Sequence, residues 1–267
     1  MSDRPELSLA GSPFGASPSF LDLVRRERPE AVPRSLTDAP VLAVPHGTTV
    51  LGLKFADGIV MAGDRRATSG NLIADAKMRK VFGADDYSAI AIAGVAGQAL
   101  ELVKLFQLEL EHYEKITGDR LSLEGKANRL AQMIRSNFPL AMQGLIVVPL
   151  FGGYDERRAE GRIFYYDATG GRWEEDDYQT TGSGGQPAKN SLKKRWKPGL
   201  DRDAALRVAA EALIDAADDD SATGGPDAVR GLWPIMVSVT AAGAADVPEA
   251  DVIAAVDAVL AARRDAS

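Results

Sequence analysis

Two adjacent threonines, Thr48 and Thr49, follow a Pro-His-Gly sequence and begin an alternating apolar run, TTVLGLKF. The chain has no cysteine and two histidines, His46 and His112. The chain therefore has no candidate for a thiolate nucleophile. It has few candidates for an imidazole base or for the ligands of a histidine-rich metal centre. Cleavage after Gly47 would give Thr48 a hydroxyl and a free α-amine whose pKa, about 7.7 to 8.0, suits a general base. One residue could then supply nucleophile and base, although paired threonines are also typical of ordinary strands.

Further polar residues lie where apolar runs begin or end. Asp64 follows one such run and Lys80 precedes another; taken singly, the first is typical of a turn and the second of a solvent-facing strand start. The loop DDDSATGG places Asp218, Asp219 and Asp220 at the end of a predicted helix. Acidic residues there oppose the helix dipole at a cost of a few tenths to about 1 kcal/mol per charge. This cost favours a functional role for the loop.

The composition limits the class of protein. A chain of 267 residues with 45% hydrophobic content can bury one full-sized core, and we expect one domain with an N-terminal extension. The net charge of −7 argues against a nucleic-acid surface, and the nearest basic run, KKRWK at 193–197, is typical of a solvated helix end. No apolar run reaches the roughly 18 residues of a membrane span, and the N-terminus lacks a signal-peptide layout. We expect a soluble, cytoplasmic protein.

The hydrophobic periodicity predicts an α+β fold. Residues 1 to about 43 are rich in proline and predict a poorly ordered leader with one short helix over 19–30. The predicted strands cover 49–55, 59–64, 87–94, 144–154, 161–168, 173–184 and 233–240. The predicted helices cover 96–116, 123–138, 201–219 and 248–264. The first two strands form a hairpin about Asp57-Gly58, and 87–94 is buried on both faces. Because strands and helices are segregated, we expect two sheets with helices outside.

Several ordered motifs together resemble the β subunit of the bacterial, actinobacterial type of proteasome. The best-matched segments are TTVLGLKFADGIVMAGDRRAT, RKVF, AIAGVAGQA, ELEHYEK, AMQGL, YQTTGSG and DDDSATGGPD. The resemblance covers the chain from Gly47 to about Arg264. It implies a four-layer αββα sandwich of the N-terminal nucleophile hydrolase type. It also implies that residues 1–47 are a propeptide removed by autocatalytic cleavage after Gly47, which leaves a domain of residues 48–267.

The resemblance assigns the central catalytic roles to three residues. Thr48 matches the nucleophile, Asp64 an acid and Lys80 the catalytic lysine. As an ammonium, Lys80 would favour the ionised hydroxyl and lower the pKa of the Thr48 amine, while Asp64 would hold the lysine. Alternatively, Lys80 would itself take the hydroxyl proton.

Four further positions are assigned by the same match. Ser183 corresponds to the serine that hydrogen-bonds the terminal amine. Asp220 and Thr223 correspond to residues that contact the new terminus, and Thr223 stands where many relatives have serine. Gly94 corresponds to the backbone donor of the oxyanion hole, where the lack of a side chain permits close approach of a carbonyl. Gly185 departs from the commoner Gly-Ser-Gly-Ser loop and receives no catalytic role.

A substrate-binding pocket is also implied by the match. Its residues are Ala67, Thr68, Met78, Ile92, Ala96 and Leu100. None of them is charged, so we expect cleavage after hydrophobic residues. Ile92 would form the floor of the pocket.

The resemblance implies a threonine endopeptidase that degrades unfolded or modifier-tagged proteins. The expected partners are identical β subunits in homo-heptameric rings, proteasome α subunits in a twenty-eight-subunit barrel, and a ring ATPase. No metal or organic cofactor is expected. One alternative is a catalytically silent ring-assembly subunit, which would lack a processed threonine or its lysine. Another is a small-molecule amidase with an N-terminal nucleophile, which would not need a barrel.

Overall fold

Two five-stranded antiparallel sheets lie at the centre of the chain, in a computed structural model that describes residues 47–265. The strands are β1 (Thr49–Phe55), β2 (Gly58–Gly63), β3 (Ala67–Ser69), β4 (Leu72–Asp75), β5 (Val81–Asp85), β6 (Ser88–Gly94), β7 (Val147–Asp155), β8 (Glu160–Tyr166), β9 (Arg172–Glu175), β10 (Tyr178–Gly182), β11 (Ile235–Thr240) and β12 (Gly243–Asp246). The first sheet has the order β10-β1-β2-β11-β12 and the second β5-β6-β7-β8-β9, while β3 and β4 form a separate hairpin.

Helices cover the outer faces of both sheets. They are α1 (Ala96–Thr117), α2 (Leu123–Ser136), α3 (Phe138–Ala141), α4 (Gly185–Arg195), α5 (Arg202–Asp219) and α6 (Glu249–Asp265). One apolar cluster joins the first sheet to α4, α5 and α6, and another joins the second sheet to α1 and α2. A third cluster contains residues of both sheets, including Val50 of β1 and Ala91 of β6. The layers therefore follow the order αββα, as predicted.

The side chains of β1 alternate between two apolar clusters, one on each face of the first sheet. Leu51 and Leu53 pack with the helices outside the first sheet, whereas Val50 belongs to the cluster between the sheets. A strand places successive side chains on opposite faces, so both faces of β1 are apolar. Likewise, β6 is buried on both faces, as predicted, and most of its inner positions are alanines.

The predicted strand over 173–184 is wrong as a single element. The chain forms β9 in the second sheet, turns at Asp176 and Asp177, and continues as β10 in the first sheet. The ladder beside β1 begins where Lys54 N donates to Asp177 O at 2.8 Å. The hairpin turn also shifts by one residue. Gly58 is the first residue of β2, and this position requires glycine because a side chain there would meet the Val239 carbonyl oxygen at 2.0 Å.

Helix α4 is not among the predicted helices, although the basic run at 193–197 is interpreted above as a solvated helix end. α4 ends at Arg195, which pairs with Glu211 at 2.7 Å. The neighbouring Trp196 is not simply solvated, since its Nε1 donates to Lys54 O at 2.8 Å.

The predicted leader, residues 1 to about 43, lies outside the described residues, as does the predicted short helix at 19–30. Of the predicted propeptide, residues 1–47, the structure describes only Gly47. Within residues 47–265, no helix is long and apolar enough to cross a bilayer.

Candidate active site

Thr48 lies immediately before β1, where that strand meets β10. Its side chain is buried, and its Oγ1 donates to the Gly47 carbonyl oxygen at 2.6 Å. Its backbone N donates to Ser183 Oγ at 3.3 Å, and its carbonyl accepts from Ser183 N at 2.8 Å. Gly182 permits this approach, because it has a φ of 101° and a side chain there would lie 2.0 Å from the Thr48 carbonyl oxygen. The strand pairing therefore fixes Thr48 beside the Gly-Ser loop.

Gly47, the residue before Thr48, has almost no room for a side chain. A Cβ at this position would lie 2.4 Å from Thr68 Oγ1 and 2.8 Å from the Ala222 side chain. The close packing of Thr68 and Ala222 around Gly47 thus holds its carbonyl group near the Thr48 hydroxyl.

Asp64 follows β2 and is almost completely buried. Its Oδ1 accepts from Thr49 N at 2.8 Å and from Lys80 Nζ at 2.6 Å. Its Oδ2 accepts from Arg66 N at 2.8 Å and from Gly224 N at 2.9 Å. Four donors satisfy a buried carboxylate, so the position and orientation of Asp64 are fixed by main chain from three segments.

Lys80 precedes β5, and its long side chain is fully buried. Its Nζ donates to Asp64 Oδ1 at 2.6 Å, to the Gly47 carbonyl at 3.2 Å and to the Arg66 carbonyl. An ammonium has three N–H donors, and these three acceptors use all of them. Burial lowers the pKa of Lys80 from its ordinary 10.5, and the adjacent Asp64 carboxylate opposes this shift.

The second polar group joins Ser183, Asp220 and Thr223. Asp220, at the end of α5, accepts through Oδ2 from Ser183 Oγ and from Thr223 Oγ1, each at 2.6 Å. Its Oδ1 accepts from Ala222 N at 3.1 Å. Burial tends to raise the pKa of Asp220, but the Ser183 and Thr223 hydrogen bonds outweigh it and leave the pKa lowered. The hydroxyls of Thr223 and Ser183 thus share one oxygen of Asp220.

The structure brings six of the predicted residues into one connected site: Thr48, Asp64, Lys80, Ser183, Asp220 and Thr223. Sequence reasoning missed the polar contacts of Thr49 and Gly184, because threonine and glycine there are already explained by a strand and a loop. It also missed that Arg66 and Gly224 act through their main chains. Such roles leave no signal in side-chain type.

Gly94 ends β6 with a φ of 116°, and a side chain there would lie 2.1 Å from the Ile146 carbonyl oxygen. Glycine is therefore required by the backbone itself. The same strand runs beside Lys80, since the backbone N of Ile92, two residues before Gly94, donates to the Lys80 carbonyl oxygen at 2.9 Å. The role of Gly94 in an oxyanion hole stays a prediction.

The predicted pocket residues come from several elements. Ala67 and Thr68 lie in β3, Ile92 in β6, and Ala96 and Leu100 in α1. Met78 lies between β4 and β5. Ile92 is 1% exposed and packs in the core beneath α1 and α2, and Leu100 is partly buried against the same core. A pocket formed by these side chains stays a prediction.

The αββα sandwich with a buried threonine, Thr48, immediately before β1 defines the N-terminal nucleophile hydrolase fold. A profile of the proteasome subunit family matches residues 44–229. The chain is 55% identical over 226 residues to the proteasome subunit beta of Acidimicrobium ferrooxidans, covering 85% of this chain and 83% of that protein. It is 56% identical over 230 residues to that of Streptomyces griseus, covering 85% and 82%. It is 53% identical over 244 residues to that of Jonesia denitrificans, covering 90% and 81%.

The chain belongs to the proteasome subunit family. Its high identity to β subunits of actinobacteria supports a protease subunit of the proteasome core particle.

Proposed function

We propose that the chain is a threonine-type endopeptidase subunit whose nucleophile, Thr48, is released by cleavage after Gly47. One observation carries this proposal. The Gly47 carbonyl oxygen accepts from Thr48 Oγ1 at 2.6 Å and from Lys80 Nζ at 3.2 Å. The carbonyl that must be attacked is thus in contact with the candidate nucleophile and with a buried cation.

The contacts support an intramolecular first step. Thr48 Oγ adds to the Gly47 carbonyl carbon, and the Lys80 ammonium stabilises the charge that develops on the carbonyl oxygen. The C–N bond then breaks, the hydroxyl proton is transferred to the Thr48 nitrogen, and an ester joins Gly47 to Thr48 Oγ. Water hydrolyses this ester. The products are a carboxyl group on Gly47 and a Thr48 with free hydroxyl and free amine.

Departure of Gly47 changes the hydrogen bonding of Lys80. Two acceptors, the Asp64 carboxylate and the Arg66 carbonyl, stay in place. The third N–H is then available for the Thr48 hydroxyl, where an ammonium lowers the free energy of the alkoxide. The new amine of Thr48 serves as the base, and Ser183 with Asp220 holds that amine.

Assembly follows from the proposed role. Homo-heptameric β rings would be capped by α subunits in a twenty-eight-subunit barrel in the cytoplasm, which would enclose the site. A ring ATPase would deliver unfolded or modifier-tagged proteins to it. A silent assembly subunit is disfavoured by the complete contacts of Thr48, Asp64 and Lys80. A stand-alone amidase is disfavoured by similarity to proteasome β subunits.

The test combines intact mass with a peptidase assay on protein co-assembled with its α subunit. Wild-type chains should begin at Thr48 and cleave peptides. Thr48→Ala should retain residues 1–47 and lack activity, because it lacks the hydroxyl needed for both cleavages. Thr48→Ser, the matched control, should be processed and retain activity. An active barrel whose β chains still begin at Met1, or normal processing of Thr48→Ala by its own subunits, would overturn the proposal.

A further inference from the structure

The side chain of Thr49, next to the proposed nucleophile, makes two buried polar contacts. Its Oγ1 lies 2.6 Å from Thr223 Oγ1 and accepts from Gly184 N at 3.0 Å. We propose that Thr49 is a positioning residue for the peptidase reaction. Its hydroxyl holds Thr223, and through Thr223 the Asp220 carboxylate, in the orientation that presents Ser183 to the Thr48 nitrogen. This inference rests on the proposed function and adds a residue to its machinery.

The direction of each hydrogen bond follows from donor counting. Asp220 Oδ2 can only accept because it is a carboxylate, so Thr223 Oγ1 gives its single proton there. At its contact with Thr49 the Thr223 hydroxyl must then accept, so Thr49 Oγ1 donates to Thr223 Oγ1 and itself accepts from Gly184 N. Each hydroxyl has one proton and one assigned acceptor. The chain of bonds therefore has a single direction, from the Gly184 amide to the carboxylate.

The same carboxylate oxygen also orients the serine. Asp220 Oδ2 accepts from Ser183 Oγ at 2.6 Å, and the shorter distance favours this acceptor over the Thr48 carbonyl at 3.2 Å. Ser183 Oγ then has lone pairs for the Thr48 nitrogen, 3.3 Å away. The Thr49 hydroxyl is thus linked to the nitrogen that becomes the catalytic amine by hydrogen bonds through Thr223, Asp220 and Ser183.

Burial makes the Thr49 contacts costly to lose. Thr49 is 0% exposed and Thr223 is 1% exposed. Without the Thr49 hydroxyl, Gly184 N would lose its acceptor and Thr223 would be free to rotate away from Asp220. An unsatisfied buried donor carries the full cost of its desolvation.

Gly184 closes this site sterically. A Cβ at this position would lie 2.4 Å from Thr49 Oγ1 and 2.5 Å from Thr223 Oγ1. The φ of Gly184 is −87°, which any residue adopts. The two hydroxyls, and not the backbone conformation, therefore explain why residue 184 has no side chain. A side chain introduced at this position is a second way to disturb the same contact.

The main chain of Thr49 connects this group to the lysine. Thr49 N donates to Asp64 Oδ1, the oxygen that also accepts from Lys80. One residue therefore contacts the Lys80–Asp64 pair through its backbone and the Asp220–Ser183 pair through its side chain. Removal of the hydroxyl should disturb the second pair and leave the first intact.

The experiment compares Thr49→Val, which has nearly the same shape without the hydroxyl, with Thr49→Ser, which keeps it. Thr180→Val is the matched control, because Thr180 is also buried and its Oγ1 donates to the Gly185 carbonyl at 2.7 Å, outside the Asp220 group. For assembled barrels we expect Thr49→Val to lower kcat about tenfold with KM changed less than about twofold. Thr49→Ser should restore kcat, and Thr180→Val should leave kcat unchanged.

Gly184→Ala provides the second variant if Thr49→Val does not assemble, and it should also lower kcat without raising KM. An unchanged kcat in either assembled variant would overturn the inference. So would an equal loss in Thr49→Val and Thr180→Val that follows their melting temperatures, since that result indicates only a structural role. A Thr48→Ala reference separates the two proposals: if it is as active as wild type, the proposed nucleophile itself is wrong.

Discussion

Lys80 Nζ lies 2.6 Å from Asp64 Oδ1, and both side chains are fully buried. Removal of one partner from such a pair leaves an uncompensated charge in the interior, which typically costs about 3 to 5 kcal/mol. Replacement of the whole pair by apolar residues is often neutral or stabilising. Because stability does not require a charged pair at this point, its contact with the Gly47 carbonyl is the better explanation for its presence.

Lys80→Ala should lower peptidase turnover by at least ~10², the effect of losing a positioned acid-base group. A matched control exists in Lys126, which is 4% exposed and pairs with Asp85 away from the site. Lys126→Ala should lower the melting temperature while kcat in the assembled barrel stays near wild type. Size-exclusion chromatography followed by a peptide assay measures both. Retained activity in an assembled Lys80→Ala barrel would remove Lys80 from the mechanism.

The pH dependence of turnover should report the charge of Lys80. Burial lowers its pKa below the ordinary 10.5, against the opposing Asp64 carboxylate. If the ammonium is the working form, kcat/KM falls as the pH rises through this lowered pKa, so the alkaline limb lies below pH 10.5. The assay needs size-exclusion runs at each pH to show that the barrel is intact. A rate that instead increases through this range would assign Lys80 the role of neutral base.

Acid stability should depend on Asp220. Burial alone would raise the pKa of Asp220, but the hydrogen bonds from Ser183 and Thr223 lower it by a larger amount. The pKa in the folded protein therefore lies below the ordinary 3.8. A lowered carboxyl pKa stabilises the fold fully above the unfolded pKa, and this contribution is lost as the pH falls through the folded pKa. The free energy of unfolding of wild type should therefore exceed that of Asp220→Asn above about pH 4, and the difference should shrink in stronger acid.

Urea unfolding of the unassembled chain at several pH values measures this difference. Asp218→Asn is a suitable control, because Asp218 is exposed and pairs with Arg263 at 3.2 Å on the surface. A difference between wild type and Asp220→Asn that grows toward low pH would contradict the assignment.

The sequence was sufficient for the layers of the fold because the apolar periods of β1, β2, β6 and the long helices are regular. It was not sufficient for the passage from β9 to β10. The residues on both sides of Asp176 and Asp177 have similar strand propensities, and only pairing with β1 or β8 decides which sheet each joins.

The candidate site divides in the same way. Thr48, Asp64 and Lys80 could be predicted from the sequence because the ordered motifs around them resemble those of proteasome β subunits. Thr49 could not, since its side-chain partner Thr223 lies 174 residues away and a strand threonine needs no further explanation. Three of the four donors to Asp64 are also invisible in sequence, because they are backbone N–H groups.

Gly94→Ala should disrupt the end of β6. The φ of 116° and the Ile146 carbonyl oxygen, 2.1 Å from the added Cβ, require the backbone to move. We expect a loss of about 1 to 3 kcal/mol in the free energy of unfolding, as for other strained backbone positions, together with loss of turnover. Gly97→Ala in α1 is the control: a Cβ there meets nothing within 4 Å, and alanine favours helix by up to about 1 kcal/mol. Wild-type stability and turnover in Gly94→Ala would contradict the expected displacement of the backbone at residue 94.

Cleavage should be fastest after hydrophobic residues. The predicted pocket includes Ala67, Met78, Ile92, Ala96 and Leu100, none of which could pair with a charged P1 side chain. We expect the two alanines to leave room for leucine or an aromatic ring, and Ile92, which is buried, to limit the depth. Apolar pockets discriminate by about 1 to 3 kcal/mol per methylene, so the preference should be graded.

A fluorogenic peptide panel at matched concentration measures the preference for the P1 residue. Faster cleavage after Arg or Glu than after Leu, Phe or Tyr would show that the pocket is wrongly assigned, even with Thr48 as nucleophile.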